Sequence, residues 1–187
     1  LLSNVKITNS DGEEITLPNG ETIADLALTF AIEGAEYTGN LLNVGSYTVT
    51  ATSTNGNYTL TFGCTLTIKA YEVTVEIAPD GNIKYGAWSA ENLAENLASL
   101  LANNATITNA DDLPGNATLS TLGIVLALTN SGATIGDDSY TNGYLNAGTY
   151  GFNGTCNKNF NVTITGNLVI GNAEITLGET NDYTVEY

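Results

Sequence analysis

The sequence predicts an all-β chain, built of tandem β-sandwich repeats of about one hundred residues with one amphipathic helix inserted in the second. Three observations predict it. The stretch Leu42-Asn43-Val44-Gly45-Ser46-Tyr47 returns as Leu145-Asn146-Ala147-Gly148-Thr149-Tyr150. Short β-branched and aromatic runs alternate with Gly, Asn and Asp turns along the whole chain. Only the segment from Ser89 to Asn104 has the apolar spacing of a helix.

The self-match extends outward from the hexapeptide with its order kept. Ile7-Thr8-Asn9-Ser10-Asp11 is answered by Ile107-Thr108-Asn109-Ala110-Asp111, Leu26 to Thr29 by Leu126 to Thr129, and Tyr37-Thr38 by Tyr140-Thr141. Tyr58 to Phe62 and Leu66 to Ile68 are answered by Phe160 to Ile164 and Leu168 to Ile170. The junction falls at Lys69-Ala70. Residues 1–69 read as a repeat lacking its opening strands, and 70–170 as a complete repeat with a helix at about 89–102. Residues 171–187 read as the opening strands of a following repeat, or as a donor strand.

In chain order, Val5 to Thr8, Ile15 to Leu17 and Ile23 to Phe30 are short β-type runs separated by turns at Asp11 to Glu14 and Pro18 to Gly20. From Gly45, Tyr47, Val49 and Ala51 alternate with Thr48, Thr50 and Thr52, the pattern of a half-buried strand. Asn55-Gly56-Asn57 predicts a hairpin onto Tyr58 to Phe62, and Gly63 interrupts before Thr65 to Ile68. The second repeat opens with Tyr71 to Ile77, a turn at Pro79 to Asn82 and a short strand at Ile83 to Tyr85. In the helix, Leu93, Leu97, Leu100 and Leu101 share a stripe while Glu91, Glu95 and Asn96 face away. Ser89 is the expected cap, with Trp88 and Leu93 spaced as a hydrophobic staple. Ala173 to Leu177 and Tyr183 to Tyr187 repeat the pattern of Tyr71 to Ile77 and Ile83 to Tyr85. A hairpin followed by a helix and more strands is also how a β-grasp domain reads, and the second repeat carries that alternative.

Twenty acidic residues stand against 4 lysines, with neither arginine nor histidine, for a net charge of −16. Such a surface repels nucleic acid and anionic membrane, so neither is expected as a partner. No apolar run is long enough to span a bilayer. Cys64 and Cys156 fall at different places in the two repeats, which excludes one bridge inside each and predicts two free, mostly buried thiols.

Little in the sequence can carry chemistry. Without histidine there is no triad and no imidazole base, and the cysteines make no zinc-binding set, so the chain reads as non-enzymatic, with no cofactor. Asp11 to Glu14, Asp111-Asp112 and Asp137-Asp138 are the stretches that calcium would use, and none has the ligand spacing of a calcium loop. Trp88, Tyr140 and Tyr144 are the aromatic residues that would form a glycan platform, against a packing role in the core. Asn57, Asn104, Asn116, Asn153 and Asn161 each open an Asn-x-Ser/Thr triplet and are N-glycosylation acceptors only in a host that glycosylates.

Leu42 to Val49, Asn57 to Phe62 and Leu66 to Ala70 together resemble the end of an MBG-type bacterial surface repeat, one of the Ig-like module families found in tandem on large extracellular proteins. Tyr71 to Ile77 followed by Lys84-Tyr85-Gly86 is similar to the opening of the next repeat. The resemblance covers about two-thirds of each unit and fails over residues 87–122. It implies tandem Ig-like sandwiches acting as a stalk or spacer at the extracellular cell surface, with adhesion as a secondary role. Its partners would be neighbouring repeats, and a host or cell-surface glycan or protein. The out-of-phase repeats imply a further reading: a filament subunit joined to identical subunits by head-to-tail strand donation through residues 173–187. A carbohydrate-binding module is a third.

Overall fold

A computed structural model describes residues 5–114 and 117–178. The chain divides into two compact units, Leu1–Lys69 and Ala70–Tyr187. Most of the regular secondary structure in their described residues is β-strand.

The first unit holds β1 (Leu28–Glu33), β2 (Tyr37–Thr38), β3 (Leu41–Leu42), β4 (Gly45–Ser53) and β5 (Gly63–Ile68). β4 is the centre of an antiparallel sheet ordered β1-β4-β5, and β2 pairs with β3 in a separate hairpin. The expected run Ile23 to Phe30 is split. Thr22 and Asp25 cap a 3-10 turn over Ile23–Leu26, with the Asp25 carboxylate accepting from the Thr22 amide at 2.7 Å and its hydroxyl at 2.9 Å. Ala27 leaves that turn in the left-handed region at φ 47°, and β1 starts one residue later.

The predicted hairpin onto Tyr58 to Phe62 does not form. β4 pairs instead with β5, with Tyr47 opposite Leu66 and Thr50 opposite Gly63, and residues 58–62 lie outside any strand. Alternation in that stretch reported a half-buried segment correctly, but alternation does not name a pairing partner.

The second unit holds β6 (Tyr71–Ile77), α1 (Leu93–Asn104), β7 (Ala105–Ile107), α2 (Leu119–Leu122), β8 (Val125–Asn130), β9 (Ala133–Thr134), β10 (Tyr140–Thr141), β11 (Tyr144–Leu145), β12 (Gly148–Thr155), β13 (Phe160–Thr165) and β14 (Asn167–Ile170). Two sheets result, one ordered β14-β12-β8-β9 and the other β13-β6-β7, with β10 and β11 as a separate hairpin. β6 and β13 run parallel, and the other pairs are antiparallel. Both sheets and α1 feed one core, in which Val75, Leu122 and Leu168 are fully buried. α1 packs against strands of both sheets, β8 in one and β6 and β7 in the other.

Ser89 and Asn92 bond reciprocally one turn ahead of α1: the Ser89 amide donates to Asn92 Oδ1 at 2.7 Å, and the Asn92 amide to Ser89 Oγ at 3.3 Å. The helix itself runs over Leu93–Asn104, not about 89–102, with Asn92 as its N-cap and no side-chain cap bond, so the Ser89 pair closes the turn ahead of the helix and is not its cap. Ile83 to Tyr85 form a single parallel bridge, Lys84 with Gly171, in place of a strand. No hairpin precedes the helix among the described residues, and α1 covers two sheets, so the β-grasp alternative does not describe this unit.

The sheets of the two units superpose residue by residue in their pairing. Ile32 faces Val49 and Leu128 faces Phe152; Tyr47 faces Leu66 and Tyr150 faces Leu168. This register makes Leu28 to Ile32 equivalent to Ile124 to Leu128, four residues away from the Leu-Ala-Leu-Thr match read in the sequence. The reason is a small hairpin in the first unit, where Thr8 bridges Glu14 and the Ile15 amide bonds the Ile7 carbonyl at 3.0 Å. Its extra residues shift everything from Leu17 to Glu33.

Candidate functional site

The recurring hexapeptide builds a corner. In the first unit the Tyr47 ring folds back over Gly45, where a Cβ would stand 3.3 Å from ring atoms, and Tyr47 Oη donates to the Asn43 carbonyl at 2.8 Å. In the second, Tyr150 Oη donates to the Asn146 carbonyl at 2.9 Å over Gly148. The backbone amides of Asn43 and Asn146 reach back to the carbonyls of Glu36 and Ser139 at 2.8 and 2.9 Å. The most repeated residues of the chain therefore orient the entry to β4 and β12, a structural role.

The units part company in their second layer. β6 is the central strand of its sheet, with Val73, Val75 and Ile77 at 1, 0 and 1 % exposure. It runs parallel to β13, Tyr71 opposite Phe160 and Val75 opposite Ile164, while Val75 also lies opposite Ile107 of antiparallel β7. Asn109 extends the ladder with its side chain, accepting from the Thr74 amide at 3.1 Å and donating to the Glu72 carbonyl at 2.9 Å. Gly166, at φ 106°, turns the chain from β13 into β14 so close to β6 that a Cβ would lie 2.0 Å from the Ile77 carbonyl oxygen.

In the first unit no described strand occupies the place of β6, and both segments that would flank it, 5–7 and 58–62, are outside strands. Asn9, the counterpart of Asn109, turns onto its own hairpin and accepts from the amides of Asp11 and Glu13 at 3.0 and 2.9 Å. Cys64 stands where the second unit has Gly166. The inner face is correspondingly open. Leu28, Phe30, Ile32, Leu66 and Ile68 are half-buried, whereas Ile124, Leu126, Leu128, Leu168 and Ile170 are at most 9 % exposed. Phe62 lies over this face, its ring 5.5 Å from that of Phe30 and edge-on to it.

The other candidate residues are scattered. Trp88 is 8 % exposed within the core, so it is not available as part of a glycan platform; its carbonyl accepts from the Leu145 amide at 2.9 Å. Tyr140 is half-buried. Tyr144 is exposed and meets Tyr85 edge-on at 6.3 Å, and Tyr85 Oη donates to the Thr141 carbonyl at 3.0 Å. Asn57 and Asn153 are exposed, Asn104 donates to the Ala78 carbonyl and Asn161 to Glu72, and Asn116 lies outside the described residues. Among the described residues no group of three acidic, cysteine or histidine side chains is placed to hold a metal, the Asp11–Glu14, Asp111-Asp112 and Asp137-Asp138 stretches included. Glu14 is paired with Lys6 at 2.9 Å. Cys64 and Cys156 are both free, and Cys64 is exposed, unlike the expected buried thiol, because β5 is an edge strand and position 64 is not covered.

The shifted acidities have structural causes. Hydrogen bonds from the Thr22 amide and hydroxyl lower the Asp25 carboxyl below its ordinary value. The Glu21 carboxylate bonded to Tyr58 raises that phenol. Burial raises Tyr140, Tyr150 and Cys156. An apolar cleft of about 500 Å³ between α1 and the α2–β8 segment, lined by residues such as Leu97, Leu101, Leu119 and Val125, has no ionisable side chain in its walls.

Among the described residues no helix is long and apolar enough to cross a membrane. Sequence reasoning missed Asn109 and Gly166 as the two clasps on β6. The break Thr165-Gly166-Asn167 between two alternating runs was the available signal for the second. Compared with known proteins, the chain matches no family model, no curated protein and no solved structure.

Proposed function

We propose that the chain is a non-enzymatic structural module of an extracellular bacterial surface protein, a stalk or spacer of Ig-like units with adhesion as a secondary role. The observation that carries the reading is the repetition itself: two units with the same β-pairing register and the same glycine-tyrosine corner. A tyrosine bonded back to a backbone carbonyl a few residues upstream is also the corner device of Greek-key Ig sandwiches, which agrees with the resemblance to MBG-type repeats. Supporting it further, the polar groups with shifted acidity serve caps and packing, and the sequence has no histidine. Repetition of a unit whose described residues bring no reactive groups together suits a part whose job is length and rigidity.

The test is staining of intact cells of the source organism with an antibody to this chain. Labelling without permeabilisation is the expected result, and labelling only after permeabilisation contradicts the reading. A glycan array probed with the purified chain separates spacer from adhesin: a spacer gives no signal, and an adhesin gives a defined set of binders.

A further inference from the structure

The sequence contains four Asn-Gly pairs, two in each unit: Asn19-Gly20 and Asn55-Gly56 in the first, Asn142-Gly143 and Asn153-Gly154 in the second. A glycine after asparagine has no side chain to shield its amide nitrogen, which can then attack the asparagine side chain. Ring closure rotates the peptide between the two residues, so it needs an asparagine that is free to turn. The four pairs differ in that freedom.

Asn19 and Asn142 occupy the same kind of turn. Asn19 and Gly20 have φ 56° and 77°, and Asn142 and Gly143 have φ 52° and 81°, left-handed at both residues as in a type I′ turn. All four are exposed, and a Cβ on either glycine would meet nothing within 4 Å. Among the described residues no hydrogen bond holds the side chain of Asn19 or Asn142. Asn55 and Asn153 are held. Asn55 Nδ2 donates to the Asp25 carbonyl at 3.0 Å, and Asn55 Oδ1 accepts from the Asn57 amide at 3.1 Å. Asn153 lies in β12 opposite Ala127 of β8, with its Oδ1 accepting from the Gly154 amide at 2.7 Å. The ladder fixes the backbone that ring closure has to rotate. A Cβ on Gly154 would stand 3.2 Å from the Val125 carbonyl oxygen and 3.3 Å from the Ile164 side chain, so that peptide is enclosed.

We propose that Asn19 and Asn142, one in each unit, are sites of spontaneous modification to aspartate and isoaspartate, and that the fold protects Asn55 and Asn153. The amide nitrogen of the following glycine loses its proton to solvent and attacks the asparagine Cγ. The N–Cγ bond forms, the Cγ–Nδ2 bond breaks, and Nδ2 takes up a proton and leaves as ammonia. Water then opens the cyclic imide at either carbonyl, with no oxidant or reductant required. Each event adds a negative charge to a chain that already carries −16. Isoaspartate at position 142 also inserts a methylene into the backbone of a two-residue turn. That strains the pairing of Thr141 with Tyr144 and the bond from the Ala90 amide to the Gly143 carbonyl, now 3.0 Å. The chemistry goes beyond the surface-module reading and is independent of it.

Peptide mapping by mass spectrometry of the full 187-residue chain, aged at mildly alkaline pH both folded and in urea, tests this, with isoaspartate identified by enzymatic methylation. In urea all four pairs should convert at similar rates, because each has glycine next. In the folded chain Asn19 and Asn142 should keep most of that rate, and Asn55 and Asn153 should be slower than they are by about tenfold or more, since their bonds must first open locally. The Asn19→Gln/Asn142→Gln chain should lose the early acidic species seen on anion exchange. Equal rates at the four pairs of the folded chain, or faster conversion at Asn55 or Asn153, overturn the proposal. So do Asn19 and Asn142 that stay intact in the folded chain while the unfolded chain converts, or early acidic species that persist in the double-Gln chain.

Discussion

The two units are the same sheet in two states of completion. In the second, β6 lies between β13 and β7, both flanks are strands, and the facing sheet is buried. In the first, the equivalent flanks are irregular and the facing sheet is half-buried, although Tyr58 to Phe62 keeps the same alternation as Phe160 to Ile164. The difference teaches that β13 and β7 owe their strand conformation to β6. Among the described residues neither pairs with any other strand, so without a central strand each would have to leave backbone groups to solvent or turn on itself.

Substitutions at equivalent positions sharpen this comparison, starting with the largest effect. Gly166→Ala adds a Cβ 2.0 Å from the Ile77 carbonyl oxygen at a φ of 106°, and is expected to destabilise the second unit by about 3 kcal/mol or more. Cys64→Ala, at the matching exposed position, should change the first unit by less than about 0.5 kcal/mol. Urea denaturation followed by Trp88 fluorescence reads the second unit alone, because the chain has one tryptophan. Far-ultraviolet circular dichroism reads both. Leu168, at 0 % exposure, should lose about 3 kcal/mol on change to Ala, against about 1 kcal/mol for half-buried Leu66. Equal losses would mean that the first unit already has its second layer.

Where the units agree, the effects should agree. Tyr47→Phe and Tyr150→Phe each remove one hydrogen bond to a carbonyl four residues upstream, and each should cost about 1 kcal/mol. The smallest effect concerns the turn before β1 and β8. It is capped in the first unit by the Asp25 carboxylate and in the second by the Thr121 hydroxyl, which accepts from the Thr118 amide at 2.8 Å. The Asp25 carboxyl is held below its ordinary value, so its contribution is complete above the usual carboxylate range and is lost as pH falls through the lowered folded-state value. Acid should therefore loosen the turn at Ile23 to Leu26 before the turn at Leu119 to Leu122, as read by amide exchange over a pH series. Asp25→Thr should remove the difference.

Much of this fold was legible in the sequence. β6 runs over Tyr71–Ile77 as its alternation predicts, α1 forms within the one segment of helical spacing, and the Leu-Asn-x-Gly-x-Tyr repeat marks the same corner twice. What was not legible depended on partners. A stretch such as Tyr58 to Phe62 shows which side chains face inward and cannot show whether a neighbouring strand is there to bond it. Trp88 reads in the sequence as a core residue first and a platform residue second, and its burial decides for the core. The four-residue insertion near Asp11 was hidden by a chance Leu-Ala-Leu-Thr match, which only the pairing register with β4 and β12 exposes. The tail pattern at Tyr183 to Tyr187 lies outside the described residues.

The claim at the centre of this account is that, among the described residues, no strand of the first unit stands in the place of β6. Amide hydrogen exchange on the full chain tests it most directly. The account predicts slow exchange across Phe160–Thr165 and fast exchange across residues 58–62, with β4 protected in the same molecule. Protection of residues 58–62 equal to that of Phe160–Thr165 would contradict it.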